Sequence, residues 1–170
     1  MPLPLETERL RLRAFAPDDA SAVHGRLTSD PEVIRYTSRR SPSNSPEEAA
    51  RSIERWMAHQ DAHGFGPWAV IEKSTGELVG VCGIYYVEFK GPDVEVAYLI
   101  ARDRWGRGYA TESARAAVRF GFDERGLQRI VALILPVNVA SVRVAEKLGM
   151  RREGPGRFYD LDVLVYGLER

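Results

Sequence analysis

Only one cysteine, Cys82, occurs in the 170 residues, so the chain can build neither an internal disulfide nor a multi-cysteine zinc site. Its three histidines, His24, His59 and His63, lack the spacing of a ligand set, and no metal is expected. No uninterrupted apolar run approaches the roughly 20 residues that cross a bilayer, so a membrane partner is not expected. Excess charge is missing too: 24 Lys+Arg meet 24 Asp+Glu, which argues against a nonspecific nucleic-acid binder. The opening Met1-Pro2-Leu3-Pro4-Leu5-Glu6 has no basic region followed by an apolar one, as a secretory signal would. One thiol and no such signal make a reducing cytoplasm the expected setting.

What is present reads as one mixed α/β domain over residues 1–170. The apolar share of 44% is ordinary for a globular chain of this length, which can bury a core without staples. Leu10 to Phe15 alternates apolar residues with arginines, the pattern of a half-exposed strand. Pro17-Asp18-Asp19 and Asp30-Pro31-Glu32-Val33 each start a short helix, and Ser41 to Pro46 reads as a loop. Ser45-Pro46-Glu47-Glu48 starts a longer helix with a cap, a proline and two acids; Ala50, Ile53, Trp56 and Met57 form its apolar stripe. Trp68–Lys73 and Leu78–Tyr86 flank Ser74-Thr75-Gly76-Glu77 as an antiparallel hairpin. A strand follows over Val94–Ile100, then a helix through Ala114, Ala117, Val118 and Phe120–Phe122. An apolar strand over Arg129–Leu135 and a helix over Asn138–Leu148 come next, the latter closed by Gly149. Phe158 to Leu168 reads as the last strand.

Trp105-Gly106-Arg107-Gly108-Tyr109-Ala110-Thr111 lies between an expected strand and an expected helix. Glycines there let backbone amides approach a ligand, and the helix start adds unpaired donors. Arg102, Arg104 and Arg107 bring positive charge to the same turn, which makes it a candidate anion cradle for a phosphate or pyrophosphate. It is not a Walker A loop, since no G-x-x-x-x-G-K-[ST] run exists, and the third glycine of a dinucleotide fingerprint is replaced by Thr111. A G-x-G that merely shapes a turn, and a generic nucleotide site, remain as competing readings.

The wider pattern resembles the GNAT superfamily of acetyl-CoA-dependent N-acetyltransferases, and within it the RimJ/RimL-like branch. The resemblance is carried by Thr7-Glu8-Arg9-Leu10-x-Leu12-Arg13, Asp30-Pro31-Glu32-Val33, Glu95-Val96-Ala97-Tyr98 and Trp105 to Glu112. Asn138-Val139-Ala140-Ser141 and Glu146-Lys147-Leu148-Gly149-Met150 complete it. It implies a GNAT fold: a mixed, mainly antiparallel, twisted sheet flanked by helices and opened near its middle. It also implies acetyl-CoA as cosubstrate and an amine acceptor, which in this branch is a protein N-terminus, a polyamine or a small-molecule amine. A homodimer is possible by the same resemblance.

By the same resemblance the pantetheine arm pairs with the strand around Tyr98, Leu99 and Ile100. The pyrophosphate sits on the amides of Trp105, Gly106, Arg107, Gly108, Tyr109, Ala110 and Thr111, and Asn138 hydrogen-bonds the arm. Trp105 stands where the superfamily pattern has Gln or Arg. Ala145 stands where many members carry a tyrosine acid, so a tyrosine-acid mechanism does not transfer directly. The catalytic candidates are Glu95 as general base and Ser141 as donor to the leaving thiolate, with Tyr98 as an alternative acid. A backbone amide near Leu99 or Ile100 would polarise the thioester carbonyl. Against these stand plainer roles: a paired strand carboxylate for Glu95, a small helix residue for Ser141, packing for Tyr98 and a buried hydrophobe for Cys82. Direct transfer without an acyl-enzyme is expected. Loss of the tyrosine motivates the alternative of a catalytically silent acyl-CoA-binding module.

Overall fold

The computed structural model describes residues 3–38, 42 and 45–170. Ser41, Ser43 and Asn44 of the loop read over Ser41 to Pro46 lie outside the described residues. Among the described residues eight strands form one sheet: β1 (Leu5–Glu6), β2 (Leu10–Arg13), β3 (Pro67–Glu72), β4 (Leu78–Tyr86), β5 (Val94–Ile100), β6 (Arg129–Ile134), β7 (Arg151–Phe158) and β8 (Leu161–Glu169). Their order is β1-β2-β3-β4-β5-β6-β8-β7, and every neighbouring pair is antiparallel except β5 with β6. Among the described residues five α-helical segments flank it: α1 (Ala20–Val23), α2 (Pro31–Ile34), α3 (Pro46–His63), α4 (Tyr109–Glu124) and α5 (Val139–Lys147).

Local chemistry accounts for most of the element ends. The Asp30 carboxylate accepts the Glu32 amide at 2.9 Å and Pro31 fills the first position of α2. Gly64 takes a left-handed conformation (φ 73°) and ends α3. The buried stripe of α3 contains Ala49 and Ile53, with Trp56 and Met57 packed beside them; Ala49 takes the place expected for Ala50. Gly149 (φ 83°) follows α5 as expected.

The two sheet faces carry separate apolar clusters. One gathers Trp68, Val70, Ile84, Val94, Val96, Ile130 and the inner face of α4. Trp68 is fully buried, its ring edge-on to Phe120 at 5.3 Å, and its indole N–H donates to Gln60 Oε1 at 2.7 Å. A Cβ on Gly121 would come within 2.8 Å of Ile130 Cδ1, so this glycine lets α4 lie close against the sheet. The other cluster packs Phe15, Val23, Leu27, Val33, Ala49 and Ile53 against Ala69, Val81 and Leu99.

The last element differs from expectation. Phe158 ends β7 instead of opening a single final strand, and Tyr159-Asp160 form a two-residue turn into β8. Gly154-Pro155-Gly156 hides β7 from a pattern search, yet proline is tolerated there because β7 is an edge strand.

Candidate functional site

The sheet opens between β5 and β6. These parallel strands register only at Glu95 and Val131, and beyond that point Ala97, Tyr98 and Leu99 of β5 are half-buried. The Ala101 amide donates to Val79 C=O on the β4 side at 2.8 Å. Strand backbone groups alternate sides, so Leu99 also points its amide at β4, whereas the amides of Tyr98 and Ile100 point into the gap. Of the two candidate donors to a thioester carbonyl, Ile100 is therefore the one aimed at the opening. Its own carbonyl accepts the Trp105 indole N–H at 2.8 Å, which ties the glycine loop to the end of β5.

That loop is built around left-handed turns. Gly106 and Gly108 have φ of 75° and 81°, and Gly108 caps α4. The first α4 hydrogen bond runs from the Glu112 amide to Gly108 C=O, leaving the amides of Tyr109, Ala110 and Thr111 without an intrahelical acceptor. The Trp105 amide, in contrast, already donates to Arg102 C=O at 3.2 Å. The usable part of the candidate cradle thus runs from Gly106 to Thr111.

Beneath the loop lies Glu72, a buried carboxylate that no motif announced. It accepts Tyr109 Oη at 2.5 Å, Thr75 Oγ1 at 2.9 Å and Arg104 Nε at 3.1 Å. The Tyr109 hydrogen bond, helped by Thr75 and Arg104, lowers its pKa to about 2 against the opposing effect of burial. Arg104 also pairs with Glu77 at 2.8 Å and Asp103 at 2.6 Å. Arg104, expected to add positive charge to the turn, has that charge neutralised by these three carboxylates. Arg102 and Arg107 remain at the exposed side, with Arg107 Nη1 3.6 Å from Glu72. From the N-terminal segment, Thr7 and Arg9 both bind Glu112 in the first turn of α4, and Arg9 Nη1 donates to Arg107 C=O at 2.8 Å. Thr7-Glu8-Arg9 is therefore a latch on the loop as much as a strand opening.

Tyr98, Asn138 and Ser141 come together on the α5 side of the gap. Tyr98 Oη donates to Ser141 C=O at 3.2 Å. Asn138 Oδ1 accepts the Ser141 amide at 3.2 Å and its Nδ2 donates to Ser141 Oγ at 3.0 Å. Asn138 is thus the cap of α5, with one amide hydrogen and one lone pair left for a ligand. Ser141 Oγ accepts in this contact and keeps its own hydrogen to donate. Tyr98 has its hydrogen engaged and burial pushes its pKa upward, both unfavourable to an acid. Ala145, one turn beyond Ser141, is fully buried in the main core.

Glu95 stands on the opposite face of β5 from Tyr98, as their odd spacing requires. It is only 4% exposed, and burial raises its pKa to about 7 despite a hydrogen bond from Tyr159 Oη. Glu88 Oε1 accepts the Tyr159 amide at 2.7 Å, and Tyr159 Oη accepts the Glu88 amide at 2.9 Å. Beside them Tyr85 stacks on Phe89 at 4.9 Å and the Arg55 guanidinium lies over Phe89 at 4.9 Å. His59 is buried behind this cluster: its Nδ1–H donates to Phe65 C=O at 2.8 Å and its Nε2 accepts the Tyr86 amide at 3.3 Å. Tyr159 and Glu88 escaped the sequence reading because they act through each other across 71 positions of the chain, and His59, weighed there only as a metal ligand, is a buried structural bridge. Cys82 is fully buried, and burial pushes its thiol up to about 12. Among the described residues, no group of His, Cys, Asp and Glu could hold a metal ion, and no helix is long and apolar enough to cross a membrane.

Comparison with known proteins agrees with this geometry. Residues 9–151 match the model of the acetyltransferase (GNAT) domain. The Bacillus subtilis (strain 168) protein YkkB is 37% identical over 163 residues, covering 95% of this chain and 93% of the relative. N-acetyltransferase YoaA of the same organism is 35% identical, covering 91% and 86%. The crystal structure of a GNAT-family acetyltransferase from Bacillus anthracis superposes with a TM-score of 0.82 at 30% identity, covering 97% of each chain. This chain belongs to the GNAT acetyltransferase family.

Proposed function

We propose that the protein moves the acetyl group of acetyl-CoA directly to a primary amine, as a member of the RimJ/RimL-like branch. The observation that carries this reading is the gap between β5 and β6. It is bounded by the free amides of Gly106 to Thr111, by the inward amides of Tyr98 and Ile100, and by Ser141. The chemistry of these donors fits the cosubstrate: a helix start for the pyrophosphate, a strand edge for the amide-bearing arm, and one amide for the thioester carbonyl. Asn138 retains one donor and one acceptor for the same arm.

A thioester lying in the plane of the sheet is reachable from both faces, and the candidate residues are divided accordingly. From one face Glu95 takes a proton from the acceptor's ammonium, so that the neutral nitrogen can attack. The N–C bond forms as the C–S bond breaks, and the second proton that this leaves on the nitrogen passes to solvent. From the other face Ser141 Oγ–H supplies the proton that the thiolate gains, and solvent restores the serine. A base with a pKa of about 7 suits this task, since it is half-ionised near neutrality. Cys82 has no part in it, being buried and protonated.

The second reading, a silent acyl-CoA-binding module, draws on Ala145, which has no proton to give. Incubating the protein with acetyl-CoA and a panel of N-terminal peptides, polyamines and aminoglycosides separates the two. Acceptor-dependent release of free thiol supports transfer; binding of acetyl-CoA with no such release from any amine supports the module.

A further inference from the structure

We propose that Tyr159 is the positioning residue of Glu95, so that the β7–β8 turn, and not β5 alone, sets the geometry of the candidate base. This rests on the reading of Glu95 as base. The phenol has one direction left for its hydrogen. Its oxygen already accepts the Glu88 amide at 2.9 Å, and the O–H is given to Glu95 Oε1. Because Glu95 is 4% exposed, water has little part in orienting the carboxylate. A fixed Oε1 leaves Oε2 for the acceptor's proton.

The clasp that holds the phenol is unusual in its backbone. Among the described residues, the non-glycine positions with left-handed φ are Glu88 (55°), Phe89 (58°), Tyr159 (52°) and Asp160 (58°). All four lie in the two turns that meet over Glu95. Glu88, Phe89 and Tyr159 are held against the preference of their side chains, Asp160 being a residue that accepts this region, and the two turns are tied by the reciprocal Glu88–Tyr159 hydrogen bonds. Backbone strain of this kind persists where the surroundings over-determine it, and it concentrates at sites that need a fixed geometry. A turn whose task was only to join β7 to β8 would be served by Asn-Gly, without strain and without Tyr159.

The groups facing Glu95 are Tyr85 from β4, Glu88 from the β4–β5 turn and Tyr159 from the β7–β8 turn. Arg55 of α3 lies at the rim over Phe89. Tyr159 is the neighbour that favours the ionised carboxylate, whereas burial and Glu88 oppose it.

The test is a carbon-13 titration of the protein labelled at glutamate carboxyls, with Glu95→Gln identifying the Glu95 resonance. Tyr159→Phe is expected to raise the midpoint by about one pH unit, the loss of a hydrogen bond to a charged group. Replacing Tyr159 with 3-fluorotyrosine, a stronger donor of nearly the same shape, is expected to lower it, and this arm stands even if the phenylalanine variant fails to fold. A midpoint unchanged in the fluorotyrosine protein overturns the proposal. Thiol release by Glu95→Gln with the amine panel is measured alongside. Retained wild-type release sinks the base reading and with it the positioning role. Lost release with an unmoved Glu95 midpoint sinks the positioning role alone.

Discussion

Tyr109, the first residue of α4, gives its phenolic hydrogen to Glu72 of β3 at 2.5 Å, across 37 positions of the chain. This contact joins the candidate pyrophosphate loop to the rigid sheet. Glu72 also holds Arg104, so one carboxylate fixes both ends of the Arg104–Tyr109 segment. The loop needs such an anchor because its glycines, which let amides turn toward a ligand, contribute no side-chain packing of their own.

Glu72→Ala therefore leaves Tyr109 and Arg104 without their buried partner and loosens the loop. Acetyl-CoA binding is expected to weaken roughly tenfold, with a smaller change in turnover at saturating acetyl-CoA. Calorimetric titration with acetyl-CoA checks it; unchanged affinity would show that the loop holds its shape without Glu72.

On the proposed mechanism, Glu95 governs the pH dependence of transfer. Its pKa is raised to about 7, so the proton-accepting form accumulates above that value and is lost below it. The rate is expected to rise with pH through an acid limb near 7, and Glu95→Gln to lower it by about 100-fold or more while removing that limb. The same shift acts on stability in the opposite sense. The unfolded carboxyl ionises from about 4.5, before the buried one, so the contribution of Glu95 to stability declines as pH rises from there to about 7.

Ser141→Ala removes the hydroxyl that we propose donates to the leaving thiolate, while leaving the Asn138 side-chain carbonyl to cap the amide of residue 141. Turnover is expected to fall by about 100-fold, with acetyl-CoA affinity little changed. Steady-state kinetics with acetyl-CoA varied checks the division. A turnover equal to wild type would assign the proton to solvent.

His59 carries a pH effect on stability that is separate from transfer. Both ring nitrogens are engaged in the neutral form, and burial lowers its pKa from 6.5. Below about 6.5 the unfolded chain takes up a proton that the folded site resists, so stability falls with pH in that range. Denaturation midpoints between about pH 8 and about pH 5 should slope less in His59→Phe than in wild type. Parallel slopes would contradict the assignment.

How far the chain could be read in advance follows the range of the forces involved. The β3–β4 hairpin was legible because Trp68 to Ile71 and Leu78 to Tyr86 are rich in strand formers around a glycine turn. The start of α4 was legible because Gly106 and Gly108 supply left-handed positions that other residues avoid. Asn138 and Gly149 marked α5 for similar local reasons. β7 was missed because Gly154, Pro155 and Gly156 speak against a strand except at a sheet edge, and the edge is a property of the whole fold. The Glu95–Tyr159 contact spans 64 positions and depends on a turn adopted by Tyr and Asp, residues that do not signal it. Likewise the three-arginine cluster looked uncompensated because the carboxylates Glu72 and Glu77 that neutralise Arg104 lie on or just beyond a distant strand.

Free-thiol release from acetyl-CoA in the presence of the amine panel decides whether transfer is direct with Glu95 as base. Wild type and Glu95→Gln are compared at equal saturation with acetyl-CoA. Wild type is expected to release thiol only with an amine and increasingly through about pH 7, with little or none from the variant. Binding of acetyl-CoA by both proteins without amine-dependent release from either, or equal release from both, would contradict this mechanism.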